Sequence, residues 1–131
     1  MDTRALVSAA RKAKQFSFSP YSKFRVGAAL LTVSGEIVTG CNIENSSFSL
    51  TICAERTALF KAISDGNKKF RAIAIATDAG QFIPPCGACR QVIQDLAGNI
   101  VVILTDNKGR VKQFTMEDFL PMPFNKRMLK H

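Results

Sequence analysis

Apolar residues at Leu6, Ala9, Ala10, Ala13 and Phe16 recur every three or four positions, with Arg4, Ser8, Arg11, Lys12 and Gln15 between them. A period near 3.6 residues puts the apolar set on one face of a helix, so the chain is expected to open with an amphipathic helix. FSFSPYS breaks that pattern. From Phe24 the run FRVGAALLTV reads as a strand, Ser34-Gly35 as a turn and EIVTGCNIE as a second strand, together an antiparallel hairpin. Ala54, Ala58, Leu59, Ala62 and Ile63 then restore a helical stripe over about Cys53 to Ile63, with Asp65-Gly66-Asn67 as its stop.

Beyond that stop RAIAIAT reads as a strand, Pro84-Pro85 as a loop, and Ala88 to Leu96 as a short helix that ends before Gly98. The unbroken apolar IVVIL within NIVVILT fits a strand covered on both faces. Only Asp106-Asn107-Lys108-Gly109 separates it from RVKQF, too few residues for a parallel crossover, so the last two strands are expected to be antiparallel. A last short helix is expected from Thr115, followed by Pro121, Pro123 and a basic tail. This order of elements predicts an α/β fold, a three-layer α/β/α sandwich around a five-stranded mixed sheet. Without repeats or low-complexity segments, residues 1–131 are expected to form one domain that buries a core without staples.

Lysine and arginine number 18 against 10 aspartates and glutamates, a net charge of +8 that invites a nucleic-acid partner. The placement argues against one. Arg4, Arg11, Lys12 and Lys14, then Lys68 and Lys69, then Lys126, Arg127 and Lys130 lie in separate segments, without interleaved aromatics for base stacking. The first residues, MDTRALVSAARKAKQF, lack the apolar run of an export signal, and nowhere do eighteen apolar residues follow one another. A soluble cytoplasmic protein with no membrane span is expected. In that compartment the four cysteines, Cys41, Cys53, Cys86 and Cys89, point to metal or redox chemistry before a disulfide framework.

Cys86 and Cys89 lie in PPCGACR at the start of a helix, a spacing shared by redox pairs, half zinc sites and plain buried thiols. Adding Cys53, at the head of the preceding helix, brings three cysteines to two helix N-termini, where partial positive charge favours thiolates. Three such ligands could hold a tetrahedral zinc and leave its fourth position to water. Glu55 then reads as the carboxylate that takes a proton from that water and passes it to a substrate. Residues two apart diverge by about 200° inside a helix, so Cys53 and Glu55 can share a site only beyond the helix end. Three thiolates also overcompensate a divalent ion; Arg56 is the natural cation to donate to the sulfurs, with Arg90 as second candidate.

Cys53-Ala54-Glu55 with Pro85-Cys86-Gly87-Ala88-Cys89 resembles the zinc-deaminase signature in its three-cysteine form. FSPYSKFRVGAALL, GCNIENSSFSLTICAERTALFKAI and PPCGACRQVI are similar to the small cytidine deaminases along most of the chain. The resemblance implies one zinc ion per subunit on Cys53, Cys86 and Cys89. It implies Glu55 as proton carrier in the hydrolysis of cytidine or deoxycytidine to uridine or deoxyuridine and ammonia, a reaction of pyrimidine salvage. It implies that Asn42 and Glu44 bond the ribose hydroxyls, that Phe24 packs on the pyrimidine, and that the backbone of Ala54 and the carbonyl of Pro84 contact the base. It implies a homotetramer whose sites borrow Phe124 from a neighbour, and leaves Cys41 as a buried thiol at a strand end.

Ser46 and Phe48 stand where alanine and tyrosine are common in that family, and Pro84 where serine or threonine is common. Phe48 lacks the tyrosine hydroxyl, whereas a backbone carbonyl survives the change to proline. Three rival readings remain distinct. A polynucleotide deaminase is opposed by Asn42, Glu44 and the short DNKG turn, because those enzymes generally place a helix between the last two strands. An antibiotic-nucleoside deaminase is opposed by CNIEN at 41–45. A structural four-thiolate zinc module would need Cys41 as fourth ligand.

Overall fold

A computed structural model describes residues 1–129; Lys130, counted above with the basic tail, lies outside them. The chain runs α1 (Thr3–Lys14), β1 (Val26–Thr32), β2 (Ile37–Cys41), α2 (Ala54–Ser64), β3 (Phe70–Thr77), α3 (Gly87–Ala97), β4 (Val101–Thr105), β5 (Val111–Thr115) and α4 (Met116–Phe119). The five strands form one mixed sheet in the order β2-β1-β3-β4-β5. β1 pairs antiparallel with β2 and with β3, and the expected antiparallel β4–β5 pair is present. β3 and β4 are parallel, because α3 supplies a crossover long enough to return the chain in the same direction.

Alternation along each strand sorts the apolar side chains into two clusters. Leu30, Ile73, Ile75, Val102 and Leu104 pack with Ala58, Leu59 and Ala62 of α2 and Ile93 of α3. Ala29, Ala72, Ala74 and Ile103 pack with Leu6, Val7 and Ala10 of α1. Successive strand residues point to opposite faces, so α1 lies on one face of the sheet and α2 with α3 on the other. α1 sits very close: a Cβ on Gly27 would stand 2.1 Å from the Ala10 carbonyl oxygen. As expected, β4 is buried from Val102 through Thr105.

Three sequence expectations shift at element ends. The first helix stops at Lys14, and Phe16, counted in its apolar stripe, falls past the end and is 80% exposed. Helix α2 begins at Ala54, with Cys53 as its extended N-cap. The second strand ends at Cys41, so Asn42 and Glu44 lie beyond it in a segment held by Phe18 and Ile52. There Ile43 and Ile52 exchange backbone hydrogen bonds of 2.9 and 3.0 Å, and Phe18 donates to Asn42 and accepts from Glu44. That pairing preserves the strand alternation: Asn42 and Glu44 are buried and Ile43 is exposed. No described helix is long and apolar enough to cross a membrane.

Candidate active site

The N-termini of α2 and α3 meet over the end of the sheet. Cys53 caps α2 and Cys86 caps α3, both in extended backbone conformation and neither spending its sulfur on a capping bond. Cys89 lies in the first turn of α3, where its backbone is helical and its side chain is buried. The three sulfurs lie within 4.8 Å of one another, with Cys53 and Cys86 at 4.0 Å. Thiolates on a tetrahedral zinc, each roughly 2.3 Å from the metal, would stand roughly 3.8 Å apart, so the donor set fits that ion. Among the described residues Cys41 is outside this cluster; it stays half-buried at the end of β2, where burial pushes its thiol up.

Because Cys53 is a cap, the angular objection to Cys53 and Glu55 sharing a site does not arise. Glu55 belongs to the first turn, is only 5% exposed, and lines the same cleft as Cys53 and Cys86. Burial raises its carboxyl to about 7, with a further push from the Cys53 thiolate, so it can hold or release a proton near neutrality. Two of the thiols are shifted in opposite directions. A hydrogen bond from Cys89, and the Arg56 guanidinium, hold the Cys53 thiol well below its ordinary range. Cys53 and burial push the Cys89 thiol up in turn. Arg56 donates from Nη2 to the Cys53 sulfur at 3.2 Å.

The cleft has a volume of about 270 Å³ and brings together most of the residues named from sequence. Phe24, Asn42, Glu44 and Ala54 all line it, as does Pro84. Ala54 occupies the first helical position, where an amide has no intrahelical acceptor and is free for a ligand. Asn42 donates from Nδ2 to the Phe24 carbonyl at 2.8 Å and accepts from the Val26 amide at 3.0 Å. Glu44 accepts from the Tyr21 and Ser22 amides at 3.0 and 3.1 Å.

Two residues named from the sequence, Arg90 and Phe124, lie outside the cleft. Arg90 does not reach a sulfur: its Nε donates to the Pro85 carbonyl at 2.7 Å and its Nη1 to the Phe119 carbonyl at 3.1 Å. A guanidinium one residue past Cys89 is carried by the helix toward α4 instead. Phe124 is exposed and lies beside Phe60 and Gln91, away from the cleft of its own chain. Sequence reasoning also missed Ser22, Thr51 and Ile83, which line the cleft. Ser22 sits in the FSFSPYS breaker, where its proximity to the Phe24 strand and its place in FSPYSKFRVGAALL were the available signals.

Residues 1–105 match the family model described as the cytidine and deoxycytidylate deaminase zinc-binding region. A cytidine deaminase from Sporosarcina psychrophila is 48% identical over 132 aligned residues, 100% of this chain and 97% of that protein. The crystal structure of cytidine deaminase from Burkholderia pseudomallei superposes with a TM-score of 0.91 at 45% identity, over 95% of this chain and 100% of that one. A lower likeness, 32% over 113 residues and 80% of each chain, links it to a blasticidin-S deaminase from Bacillus cereus. Sequence and fold agree with the convergence of three sulfurs and a buried glutamate: the chain belongs to the cytidine and deoxycytidylate deaminase family.

Proposed function

We propose that this protein is a zinc-dependent hydrolase that deaminates free cytidine and deoxycytidine to uridine and deoxyuridine, releasing ammonia. The observation that carries this reading is buried Glu55 beside three convergent thiol sulfurs in one cleft. Cys53, Cys86 and Cys89 would hold one zinc per subunit, which when bound supplies Lewis acidity and a nucleophile at neutral pH. The reaction adds water at C4 of the base, breaks the C4–N bond and expels ammonia. Glu55 takes the proton the water loses, delivers one to N3, and later carries one to the departing amine. Its carboxyl, raised to about 7, suits both acceptance and donation. The Ala54 amide and the Pro84 carbonyl hold the base, and Phe24 packs on its face.

Asn42 and Glu44 provide a donor and an acceptor for sugar hydroxyls. Among the described residues no lysine or arginine lines the cleft, while two carboxylates do, which favours an uncharged nucleoside over a nucleotide or a polynucleotide. The antiparallel β4–β5 hairpin, without an intervening helix, supports the same choice. The exposed positions of Phe48, Leu50, Phe60 and Phe124 support a homotetramer in which Phe124 completes a neighbour's site. Two apolar clusters on opposite sheet faces support the three-layer sandwich, and strands from both halves of the chain in one sheet support a single domain over residues 1–131. Free thiols kept for a metal suit a reducing compartment, which supports a cytoplasmic location, and the nucleoside reaction supports a place in pyrimidine salvage.

An ultraviolet assay over cytidine, deoxycytidine, cytosine, CMP and adenosine, with zinc measured on the same sample, tests the reading. Turnover of the first two with about one zinc per chain is expected. Activity confined to CMP, RNA or single-stranded DNA would overturn it. Glu55→Gln should keep zinc and fold and lose about 10²–10⁴-fold in turnover. Cys41→Ala should keep zinc, whereas a four-thiolate structural module would lose it.

A further inference from the structure

We propose that Ser22 is a positioning residue that sets affinity for the sugar hydroxyls through Glu44, an inference that rests on the nucleoside-deaminase reading. By its pattern of residues FSFSPYS reads in the sequence as a helix breaker. In the fold it is a brace. Phe18 pairs with the backbone on either side of Ile43, and the turn after it brings Ser22 against the Glu44 carboxylate. Lys23 takes a left-handed φ of 61°, unusual for a residue with a side chain, and its amide closes the turn on the Ser19 carbonyl.

The brace fixes both oxygens of Glu44. Oε1 accepts the Tyr21 and Ser22 amides at 3.0 and 3.1 Å, and Oε2 accepts the Ser22 hydroxyl. The Ser22 oxygen itself accepts the Phe24 amide at 3.0 Å. A serine hydroxyl has one hydrogen to give, and with its oxygen engaged by Phe24 that hydrogen is directed at Oε2. Ser22 thus ties the residue that faces the base to the residue that faces the sugar. The Ser22 hydroxyl, aided by the two amides, holds the Glu44 carboxyl below its usual range, so it remains an acceptor.

Asn42 is oriented by the same segment. Its Oδ1 accepts the Ser17 hydroxyl and the Val26 amide, and Nδ2 spends one hydrogen on the Phe24 carbonyl. One N–H of Asn42 and the spare lone pairs of Glu44 remain for a ligand, a pairing suited to an alcohol that must both accept and donate. Without the Ser22 hydroxyl, Oε2 loses its internal donor and the carboxylate is free to turn away from the sugar. Glu55 and the thiols lie on α2 and α3, so the chemical step should be insulated from that change.

Kinetics of Ser22→Ala and Ser22→Thr with cytidine, and inhibition by uridine and 2′,3′-dideoxyuridine, test the assignment. Ser22→Ala should raise KM for cytidine and Ki for uridine about tenfold, with kcat within about twofold and Ki for the dideoxy compound unchanged. Ser22→Thr, which keeps the hydroxyl, should restore both. Equal weakening of uridine and dideoxyuridine, an unchanged KM in Ser22→Ala, or a threonine variant that behaves as alanine would overturn the proposal. If the alanine variant does not fold, Ser22→Gly, which also lacks the hydroxyl, carries the same comparison. Absence of cytidine turnover in the wild type would overturn the functional reading and this proposal together, whereas wild-type turnover with an indifferent Ser22 overturns the proposal alone.

Discussion

Gly40 of β2 lies so close beneath α2 that a Cβ placed there would stand 2.5 Å from the Ala58 amide nitrogen and 2.7 Å from the Ala54 carbonyl oxygen. Both are backbone atoms of the helix, and neither can yield unless the helix moves. Its first turn carries Glu55 and Arg56 and is capped by Cys53, so displacement would spread the three sulfurs and tilt the carboxyl. Gly40→Ala should therefore cost about 1–3 kcal/mol, read as a lowered Tm, and reduce kcat more than KM. Gly80→Ala is the control, since its added Cβ meets nothing nearer than 3.8 Å. A Gly40→Ala protein with wild-type Tm and kcat would remove the packing argument.

Arg56 is the cation proposed to offset the charge of three zinc-bound thiolates. It reaches the Cys53 sulfur at 3.2 Å, and its Nε is buried without a hydrogen-bond partner among the described residues. Its removal leaves the sulfurs without their compensating charge and hydrogen bond. Arg56→Gln should weaken zinc binding by about 10–100-fold, measured by competition with a chromophoric chelator. Retention of zinc at wild-type affinity would show that the guanidinium serves only packing.

The grouping of Cys53, Cys86, Cys89 and Glu55 was legible in the sequence because short spacings and helix starts are local: Cys86 and Cys89 share one turn, and Cys53 and Glu55 another. The alternation of Asn42 and Glu44 was legible too, although for an incomplete reason. Their segment behaves as a strand through pairing with Phe18 and Ile52, and such long-range partners leave no periodic mark. Ser22 was hidden for the same cause, since its contact with Glu44 spans a turn whose shape depends on Lys23 adopting positive φ. Arg90, the second candidate for the sulfurs, bonds carbonyls instead, because adjacency to Cys89 in sequence says nothing about where a helix directs a long side chain. Phe124 lies exposed beside Phe60 and Gln91, and the proposed role in a neighbour's site leaves no mark in the spacing of a single sequence.

Asp78 at the end of β3 ties α1 and β1 to the sheet. Lys14 lies 3.0 Å from its carboxylate, and Arg25 donates through its amide, Nε and Nη2. The Arg25 hydrogen bonds, with those of Lys14, hold its carboxyl down at about 2. A carboxyl lowered on folding contributes stability above its unfolded pKa of about 4, and that stability is lost as pH falls from about 4 to about 2. With part of the group in solvent, the contribution at neutral pH is about 1 kcal/mol. Asp78→Asn should lower Tm at pH 7 and flatten its fall below pH 4. Parallel wild-type and variant melting curves across that window would contradict the assignment.

Arg90 clamps the Cys86 loop to the C-terminal segment. Its guanidinium donates to the Pro85 carbonyl at 2.7 Å and the Phe119 carbonyl at 3.1 Å, and lies 5.3 Å from the centre of the Phe119 ring. Pro85 has no amide to hold it in place, so the carbonyl bond is the polar restraint on the residue just before Cys86. Loss of that clamp frees one ligand loop without touching a sulfur. Arg90→Ala should release zinc about tenfold faster, with excess zinc restoring turnover. Arg90→Lys should fail to rescue, because a point ammonium cannot span both carbonyls while stacking on the ring. Metal-release rates followed with a zinc-sensitive dye, alongside thermal melts to separate metal loss from unfolding, decide the point. A lysine variant with wild-type release would reduce Arg90 to a bearer of charge.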